Sequence, residues 1–474
     1  MKKNILRFSS LLLVVSLIAT SCKKQEDYQL ELNYVTLANG TIVSPQPVKS
    51  KNIDLISKKE GSLSFKVELD SVIHQNLSGI GGAFNEMGGE AYISLSLENQ
   101  KELSNALFNI REGSGLSNCR TAVGSSDFGL SAYSYSEIPE DYKMENFSIE
   151  REKSSVIPFL QAAYNVNPDL KMFASPWSPP GWMKESGTMD GGNTNLEKNT
   201  LRKDPKIYEA YALYFAKYIK AYKENGINLD RLIIQNETDM NPTYPGNDMQ
   251  PEEMANLVSN YIIPQFKESN IDTEIWAGSF RGKRKDAQKF MSLEKASDVV
   301  GVGLQYAPSS TLKTLKENHP DIKIMHTEGR CENGDNSMKQ ARNRFSEIAT
   351  WLNYGSENYC YWNIILNETS TSGWGWKQNS LINIDREKDV ITYNADYAPI
   401  SLLSQYIRPG DKSLIVNTPE NKKAIAVKNK DRVVVFLENN ETAATTQNIE
   451  LKGKTYAVDL PAESLCAFVF KNNK

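Results

Sequence analysis

Two short apolar segments of this chain each end on a glutamate. Residues 231–237 read RLIIQNE, and residues 322–328 read IKIMHTE. A run of four to eight apolar and β-branched residues predicts a strand that is buried on both faces of a parallel sheet. Glu237 and Glu328 would then lie where their strands leave the core. Two carboxyl groups on one rim are the minimum that hydrolysis of a glycosidic bond requires.

The residues beside the two glutamates add to this interpretation. Asn236 precedes Glu237 and is well placed to hydrogen-bond a sugar 2-hydroxyl, a contact that strengthens at the transition state. A single glutamate at a strand end is usually a surface or capping residue. Two of them, on two of a set of matching strands, favour catalysis in which one carboxyl is protonated and the other is ionised.

The elements that must position these glutamates recur along the chain. Eight apolar runs, separated by helical segments, are found at residues 79–84, 118–123, 171–175, 231–237, 274–279, 299–304, 322–328 and 358–364. One helix is clear at residues 205–219, because it begins with a proline and a glycine follows its end. Eight strands that alternate with helices predict a (β/α)8 TIM barrel, an α/β fold. Glu237 is then on the fourth strand and Glu328 on the seventh, at the active-site face.

After about residue 385 the pattern changes to strand-like alternation without helices. Three segments predict antiparallel strands of a small β-sandwich, at residues 422–427, 432–437 and 464–470. Residues 31–75 are expected to add strands to it, which would place both chain ends in one side domain. The predicted catalytic barrel therefore spans residues 76–384, and the side domain continues over residues 385–474.

The amino terminus predicts a targeting segment. A basic start is followed by an apolar stretch at residues 11–19 and then by small residues and Cys22. This arrangement resembles a bacterial lipoprotein signal over residues 1–22, with lipidation of Cys22; the alternative is an ordinary signal peptide cleaved nearby. Residues 23–30 are interpreted as a solvated tether. We therefore expect an exported protein with an outer-membrane lipid anchor, at the cell surface or facing the periplasm.

Composition excludes several other functions. The formal net charge is −4, so nothing indicates a nucleic-acid partner. Only 3 histidines are present, which argues against a histidine metal site or a serine–histidine triad. The cysteines have no metal-ligand spacing, and Cys119 and Cys360 lie in predicted strands, so we expect buried free thiols. No metal or cofactor is expected.

Several motifs carry a resemblance to a known family. They are GIGGAFNE at residues 79–86, Arg120 followed by SDF at 126–128, ASPWSPPGWMK at 174–184, and the pairs Asn236–Glu237 and Thr327–Glu328. Over residues 76 to 470 the chain is similar to glycoside hydrolase family 30, the group of glucosylceramidase, β-1,6-glucanase and glucuronoxylanase. The resemblance implies a retaining enzyme without a cofactor.

The resemblance also implies roles for individual residues. Glu237 is expected to be the acid/base and Glu328 the nucleophile. Arg120 can orient the nucleophile and keep it ionised, the alternative being a structural ion pair with Asp127. Asp127 and Trp177 would bind the sugar in the −1 subsite.

Further aromatic residues are expected at the same rim. Tyr306 ends the sixth strand and could donate a hydrogen bond to the nucleophile. Trp374 and Trp376 lie in a glycine-rich loop after the eighth strand, where stacking on sugar is more plausible than core packing. For Trp362, inside a strand, the core and the pocket floor are both open.

Two departures from the family pattern leave the substrate open. Thr238 stands where a proline commonly follows the acid/base, and residues 303–307, with Gln305, lack the histidine of many members. A β-linked glucan is favoured, β-1,6-glucan first. A xylanase, an exo-acting glucosidase or fucosidase, or a glucosylceramidase-like activity is the alternative. A non-catalytic, glycan-binding surface lipoprotein is the alternative of another class, and intact Glu237 and Glu328 argue against it.

Overall fold

The computed structural model describes residues 28–38, 49–52, 59–74, 76–191, 198–282 and 284–472. In chain order its strands are β1 Tyr28–Thr36, β2 Lys49–Asn52, β3 Ser64–His74, β4 Gly79–Phe84, β5 Asn118–Val123, β6 Lys171–Pro176, β7 Arg231–Ile233, β8 Glu274–Phe280, β9 Gly301–Gln305, β10 Lys323–Glu328, β11 Asn358–Asn363, β12 Ile365–Asn367, β13 Ile382–Asp385, β14 Val390–Tyr393, β15 Lys412–Asn417, β16 Ile425–Lys428, β17 Arg432–Asn439, β18 Thr445–Leu451, β19 Lys454–Leu460 and β20 Ser464–Asn472. The α-helices are α1 Glu86–Ser94, α2 Leu97–Phe108, α3 Val156–Val166, α4 Pro205–Glu224, α5 Pro251–Leu257, α6 Ile263–Ser269, α7 Asp286–Met291, α8 Ser309–Asn318, α9 Met338–Asn353 and α10 Tyr397–Tyr406.

Strands β4 to β11 form the parallel barrel. Their order is β10-β9-β8-β7-β6-β5-β4-β11, and β10 meets β11 to complete the circle. At this junction the Glu357 backbone N–H donates to the Ile324 carbonyl at 2.9 Å, and the Gly329 N–H donates to the Cys360 carbonyl at 2.7 Å. Strands β4, β5 and β11 are buried along their whole length, as the uninterrupted apolar runs predict.

The glycine motif of the first barrel strand has a packing cause. A Cβ atom added at Gly81 would lie 1.8 Å from the Asn118 carbonyl oxygen on β5. The two backbones therefore approach as closely as only glycine permits. Helix α4 also follows from its sequence: the Asp204 side chain caps it by accepting from the Lys206 N–H at 3.0 Å, and Gly226, with φ +79°, follows its end.

The second body is a nine-stranded sheet that contains both the first and the last described strands, β1 and β20. Its order is β19-β18-β3-β15-β16-β17-β20-β1-β2, and its pairings are antiparallel except for β18 with β3. Alternate side chains enter two cores: Val433 and Val435 join the side-domain core, whereas Val434 and Phe436 pack with the barrel. The predicted fold class, a TIM barrel with a β side domain, is confirmed.

The element boundaries refine the predicted domains. Strand β1 begins at Tyr28, inside the segment 23–30 that was interpreted as a tether, because its residues pair with β20. Helix α10 packs against α9 and β4 as the last barrel helix, so the barrel continues beyond residue 384. The predicted signal segment and Cys22 lie outside the described residues. None of the helices in the described part of the chain is long and apolar enough for a membrane crossing.

Candidate active site

Both glutamates lie buried at the carboxyl-terminal rim of the barrel, but their backbones differ. Glu328 is the last residue of β10. Strand β7 ends at Ile233, so Glu237 lies beyond the strand and not at its last position as predicted, and it adopts a left-handed conformation with φ +44°. The Asn236 N–H donates to the Pro176 carbonyl at 2.8 Å, which holds the intervening segment to β6 after the regular strand has ended.

Two donors hold the Glu328 carboxylate. Arg120 Nη1 donates to Oε2 at 2.7 Å, and the Tyr306 hydroxyl donates to Oε1. Arg120 Nη1 also donates to the Thr327 carbonyl at 3.0 Å. A carboxylate with both oxygens bound by donors, one from β5 and one directly after β9, is fixed in position.

Arg120 itself is fully buried at the centre of the site. Its guanidinium donates to the Asn236 side-chain oxygen at 2.8 Å and to the Ser175 hydroxyl at 2.7 and 2.9 Å. Its Cζ lies 4.4 Å from the centroid of the Trp177 ring. Arg120 therefore links the side chain of Asn236, the residue before Glu237, to the carboxylate of Glu328.

Asp127 does not take the ion-pair role that was the alternative for Arg120. Arg120 is occupied by Glu328, and Asp127 Oδ1 has no hydrogen-bond partner within the described residues. Burial and the nearby Glu328 and Glu237 raise the pKa of Asp127 well above its usual value. A buried oxygen without a partner in the site is available to a ligand hydroxyl.

Glu237 is held more loosely than Glu328. Arg281 Nε lies 3.6 Å from its Oε1, and the Tyr244 hydroxyl lies 3.4 Å from its Oε2. Burial and the charge of Glu328 raise the pKa of Glu237 to about 7, against the opposing effect of Arg281. Glu237 can therefore carry a proton near neutral pH, as a general acid must.

Aromatic side chains line one side of the site. Trp177 and Trp362 stack with ring centroids 5.0 Å apart, so Trp362 is both buried and part of the site wall. The Trp376 ring lies 6.5 Å from that of Phe128 and 4.9 Å from that of Tyr244. Trp374 lies in the same loop and is partly exposed. Within the described residues its ring makes no contact with the rings of Trp177, Trp362 or Trp376.

Three residues of the site were not predicted from the sequence. Arg281 directly follows β8, so the rule that located the glutamates at strand ends could have found it. Ser175 lies within the predicted run of β6, but nothing marked its hydroxyl as an Arg120 partner. Tyr244 lies in a long loop after β7, and no sequence signal points to it.

Two cavities lie at opposite ends of the barrel. One of about 460 Å³ opens beside the glutamates and is lined by Arg281, Gly282, Tyr306, Pro308, Arg330, Cys331, Glu332 and Gln378. A larger one of about 640 Å³ lies where the strands begin, beside Arg231 and Glu274. The first cavity adjoins the two glutamates through Arg281 and Tyr306, whereas the second lies at the other end of the barrel. No cluster of three or more metal-ligating side chains is found among the residues described.

Comparisons with known proteins agree with this architecture. Residues 77–389 match the Glycosyl hydrolase family 30 TIM-barrel domain. Putative glucosylceramidase 3 of Caenorhabditis elegans is 26% identical over 449 residues, covering 88% of this chain and 84% of that protein. Endo-1,6-beta-D-glucanase neg1 of Aspergillus fumigatus is 30% identical over 300 residues, covering 58% of this chain and 61% of that protein.

A solved structure gives the same result for the fold. The endo-beta1,6-glucanase BT3312 superposes with a TM-score of 0.82 at 20% identity, covering 94% of this chain and 100% of that chain. The family predicted from the motifs is thus confirmed: the chain belongs to glycosyl hydrolase family 30 and is a glycoside hydrolase.

Proposed function

We propose that this glycoside hydrolase cleaves β-linked glucan, β-1,6-glucan first, with retention of configuration. The observation that carries the proposal is the contrast between two buried carboxyl groups. Glu328 has a donor on each oxygen, whereas the pKa of Glu237 is raised to about 7. Double displacement requires one carboxyl group that is held in place to attack and a second one that can carry a proton.

In the first step, Glu237 donates its proton to the glycosidic oxygen while Glu328 attacks the anomeric carbon. The carbon–oxygen bond to the leaving sugar breaks, and an ester bond forms between that carbon and Glu328. Arg120 and Tyr306 keep the attacking carboxylate in place beforehand. Asn236, oriented by Arg120, is placed to hydrogen-bond the 2-hydroxyl.

In the second step, Glu237 is ionised and accepts a proton from water. The hydroxide that forms attacks the anomeric carbon from the face opposite to Glu328, and the ester bond breaks. The sugar leaves with its original configuration. The Glu328 carboxylate returns to its two donors, and Glu237 is again protonated for the next turnover.

The cavity beside the glutamates is a candidate site for the leaving group. Beside Glu237 this cavity presents Arg281, Arg330, Glu332 and Gln378. These polar groups can bind the hydroxyl groups of a sugar, and the same lining also carries apolar surface from Tyr306 and Pro308. The A. fumigatus relative named as an endo-1,6-glucanase favours the β-1,6 linkage.

The other candidates follow from relatives with different printed names. The names of the C. elegans relatives, putative glucosylceramidases, support an exo-acting, glucosylceramidase-like activity as the alternative. A xylanase is a further alternative. Binding of glycan without hydrolysis is the alternative of another class.

A substrate panel tests the proposal most directly. Purified protein is incubated with linear β-1,6-glucan, β-1,3-glucan, xylan and glucosylceramide, and the products are sized. We expect oligosaccharides from β-1,6-glucan, with the β-anomer detected first by proton NMR. Release of the α-anomer first would exclude retention, and cleavage of xylan alone would exclude the glucan. Binding without any product would favour the glycan-binding alternative.

We also propose that the chain is exported and anchored to the outer membrane through lipidated Cys22. The support is the basic, apolar and small-residue order that precedes this cysteine. Wild type is expected to partition into detergent and Cys22→Ser into the aqueous phase when expressed with its signal segment. Equal partitioning of both proteins would show that Cys22 carries no lipid.

A further inference from the structure

Gln305 is a fully buried residue that ends β9, one position before Tyr306. Its side-chain oxygen accepts hydrogen bonds from two hydroxyl groups, that of Thr327 at 2.9 Å and that of Ser279. Both donors bind the oxygen end of the amide. The nitrogen, with its two hydrogens, is therefore the end that faces the rest of the site.

This nitrogen is one of several buried polar atoms of the site that lack a hydrogen-bond partner within the described residues, as Asp127 Oδ1 does. Gln305 Nε2 has no hydrogen-bond partner in the described part of the chain, although it is buried. A buried donor without a partner is costly, so such groups call for an explanation. The amide lies close enough to Glu237 to lower the pKa of that carboxyl, although it does not reach hydrogen-bond geometry in this conformation.

We propose that Gln305 is a positioning residue for Glu237: its amide nitrogen donates a hydrogen bond to the Glu237 carboxylate once that carboxylate has given up its proton. The bond holds the carboxylate in place to accept a proton from water. The proposal rests on the proposed acid/base role of Glu237. It adds a group that acts mainly in the second step.

The neighbouring hydroxyls and the charge of Glu237 together favour this direction of the amide. Thr327 directly precedes Glu328, and its hydroxyl also contacts that of Ser279 and lies 3.1 Å from the Leu304 carbonyl oxygen. A reversed amide would place its carbonyl oxygen against an ionised Glu237, and two partial negative charges would then repel each other. The residue next to one catalytic glutamate thus orients the donor offered to the other.

Other titratable and charged groups also face Glu237, and the test must separate their effects on its pKa from the effect of Gln305. They come from several elements: Asp239, Tyr244, Arg281, Tyr306, Asp127 and Glu328. None of them is changed when residue 305 is replaced. A shift that follows a change at residue 305 therefore reports on the amide itself, provided that the fold is intact.

Two replacements and one control form the test. Gln305→Met keeps the length of the side chain and removes the donor. Gln305→Glu keeps an oxygen for Ser279 and Thr327 and places a second carboxyl against Glu237. Gln447→Met, on β18 in the side domain, replaces another buried glutamine at a distance from the barrel rim. Thermal unfolding establishes that each protein is folded.

The pH dependence of kcat/KM on linear β-1,6-glucan is the first readout. A hydrogen bond to the charged form lowers a pKa, so its loss in Gln305→Met should move the alkaline limb up by roughly one pH unit. Gln305→Glu should move it further, because two carboxyls then share one proton. With an aryl β-gentiobioside, whose first step needs little acid, turnover should fall about ten-fold in Gln305→Met. Gln447→Met should match wild type in both measurements.

The second readout does not need turnover. Carbon-13 NMR of glutamate carboxyls, assigned with Glu237→Gln, gives the midpoint of the Glu237 titration directly. An upward shift in folded Gln305→Met supports the proposal, and an unchanged midpoint overturns it. If wild type cleaves no β-1,6-glucan, the assigned linkage fails, while the titration still decides the role of Gln305.

Discussion

The two catalytic candidates occupy unlike surroundings within one rim. Glu328 ends a regular strand, and Arg120 and Tyr306 each hold one of its oxygens. Glu237 lies beyond the end of its strand, and Tyr244 and Arg281 lie 3.4 and 3.6 Å from its carboxyl oxygens. A nucleophile benefits from a fixed, ionised carboxylate, whereas an acid/base must exchange a proton and reach two different oxygens. The tight restraint of Glu328 and the looser restraint of Glu237 therefore match their proposed roles as nucleophile and acid/base.

The largest expected effect comes from the tightly held member. Glu328→Gln preserves the shape of the side chain and removes the attacking carboxylate, so turnover of glucan should fall by roughly 10⁴-fold or more. Steady-state kinetics measures the loss, and circular dichroism should show an unchanged fold. Activity within ten-fold of wild type would mean that Glu328 is not the nucleophile.

Removal of the loosely held carboxyl should have an effect that depends on the leaving group. Glu237→Gln should lower hydrolysis of glucan by roughly 10³-fold, because proton transfer contributes about 10²–10⁴. With a dinitrophenyl glycoside, the first step should be nearly as fast as in wild type. Equal losses with both substrates, measured by pre-steady-state release of the phenol, would contradict an acid role.

The pKa of Glu237 also predicts where the activity of the wild-type enzyme falls on the alkaline side of its pH profile. Glu237 must be protonated to donate, and its pKa is about 7, so kcat/KM should fall as pH rises through that value. The limb should be absent in Glu237→Gln. Its persistence in the variant would assign the titration to another group.

A smaller effect is expected when Arg120, which holds the Glu328 carboxylate, is replaced. Arg120→Lys retains a charge but cannot reach Glu328, Asn236 and Ser175 together, so kcat should fall roughly 100-fold. The free energy of unfolding should fall by about 2 kcal/mol, because buried acceptors lose their donor. Arg231→Lys, where β7 begins, is the control: urea unfolding should show destabilisation there with little change in kcat. Similar kcat losses in both variants would make the Arg120 effect one of stability alone.

The smallest effect should follow from the charge beside Glu237. Arg281→Met removes a positive charge that lowers the pKa of Glu237, so the alkaline limb should move up by about one pH unit. Activity near neutral pH should change only a few-fold. Arg330→Met lines the same cavity but does not contact Glu237, and it should leave the limb in place. A limb that moves equally in both variants would reflect the general charge of the rim.

The sequence predicted the barrel strands well because burial on both faces leaves a local mark. The predicted runs at residues 118–123 and 322–328 agree with β5 and β10 to within one residue. The run at residues 231–237 was too long, because β7 ends at Ile233 and Glu237 adopts a left-handed conformation. Composition carries no sign of that conformation, which depends on how Asn236 pairs with the neighbouring strand.

The site was predictable where chemistry and strand ends coincide. Glu237 and Glu328 were found in this way, whereas Arg120, in the middle of β5, was named only through the family resemblance. The structure brings Arg120 and Tyr306 to Glu328. Tyr244 could not be found, because a loop residue reaches the rim only through the path of the whole loop. Gln305 was visible in the sequence only as a departure from the family pattern. Its unpartnered nitrogen became evident only when the hydroxyls around it were in place.

The pairing of β1 with β20 also constrains the order of folding. These strands pair over nine residues, from Tyr28 with Asn472 to Thr36 with Ser464. A chain made or exported from its amino terminus therefore carries β1 with β2 but without β20 until that strand arrives. Contacts so distant in sequence are slow to form, because a long loop must close first. The barrel elements between them can assemble earlier, and the side sheet is completed last.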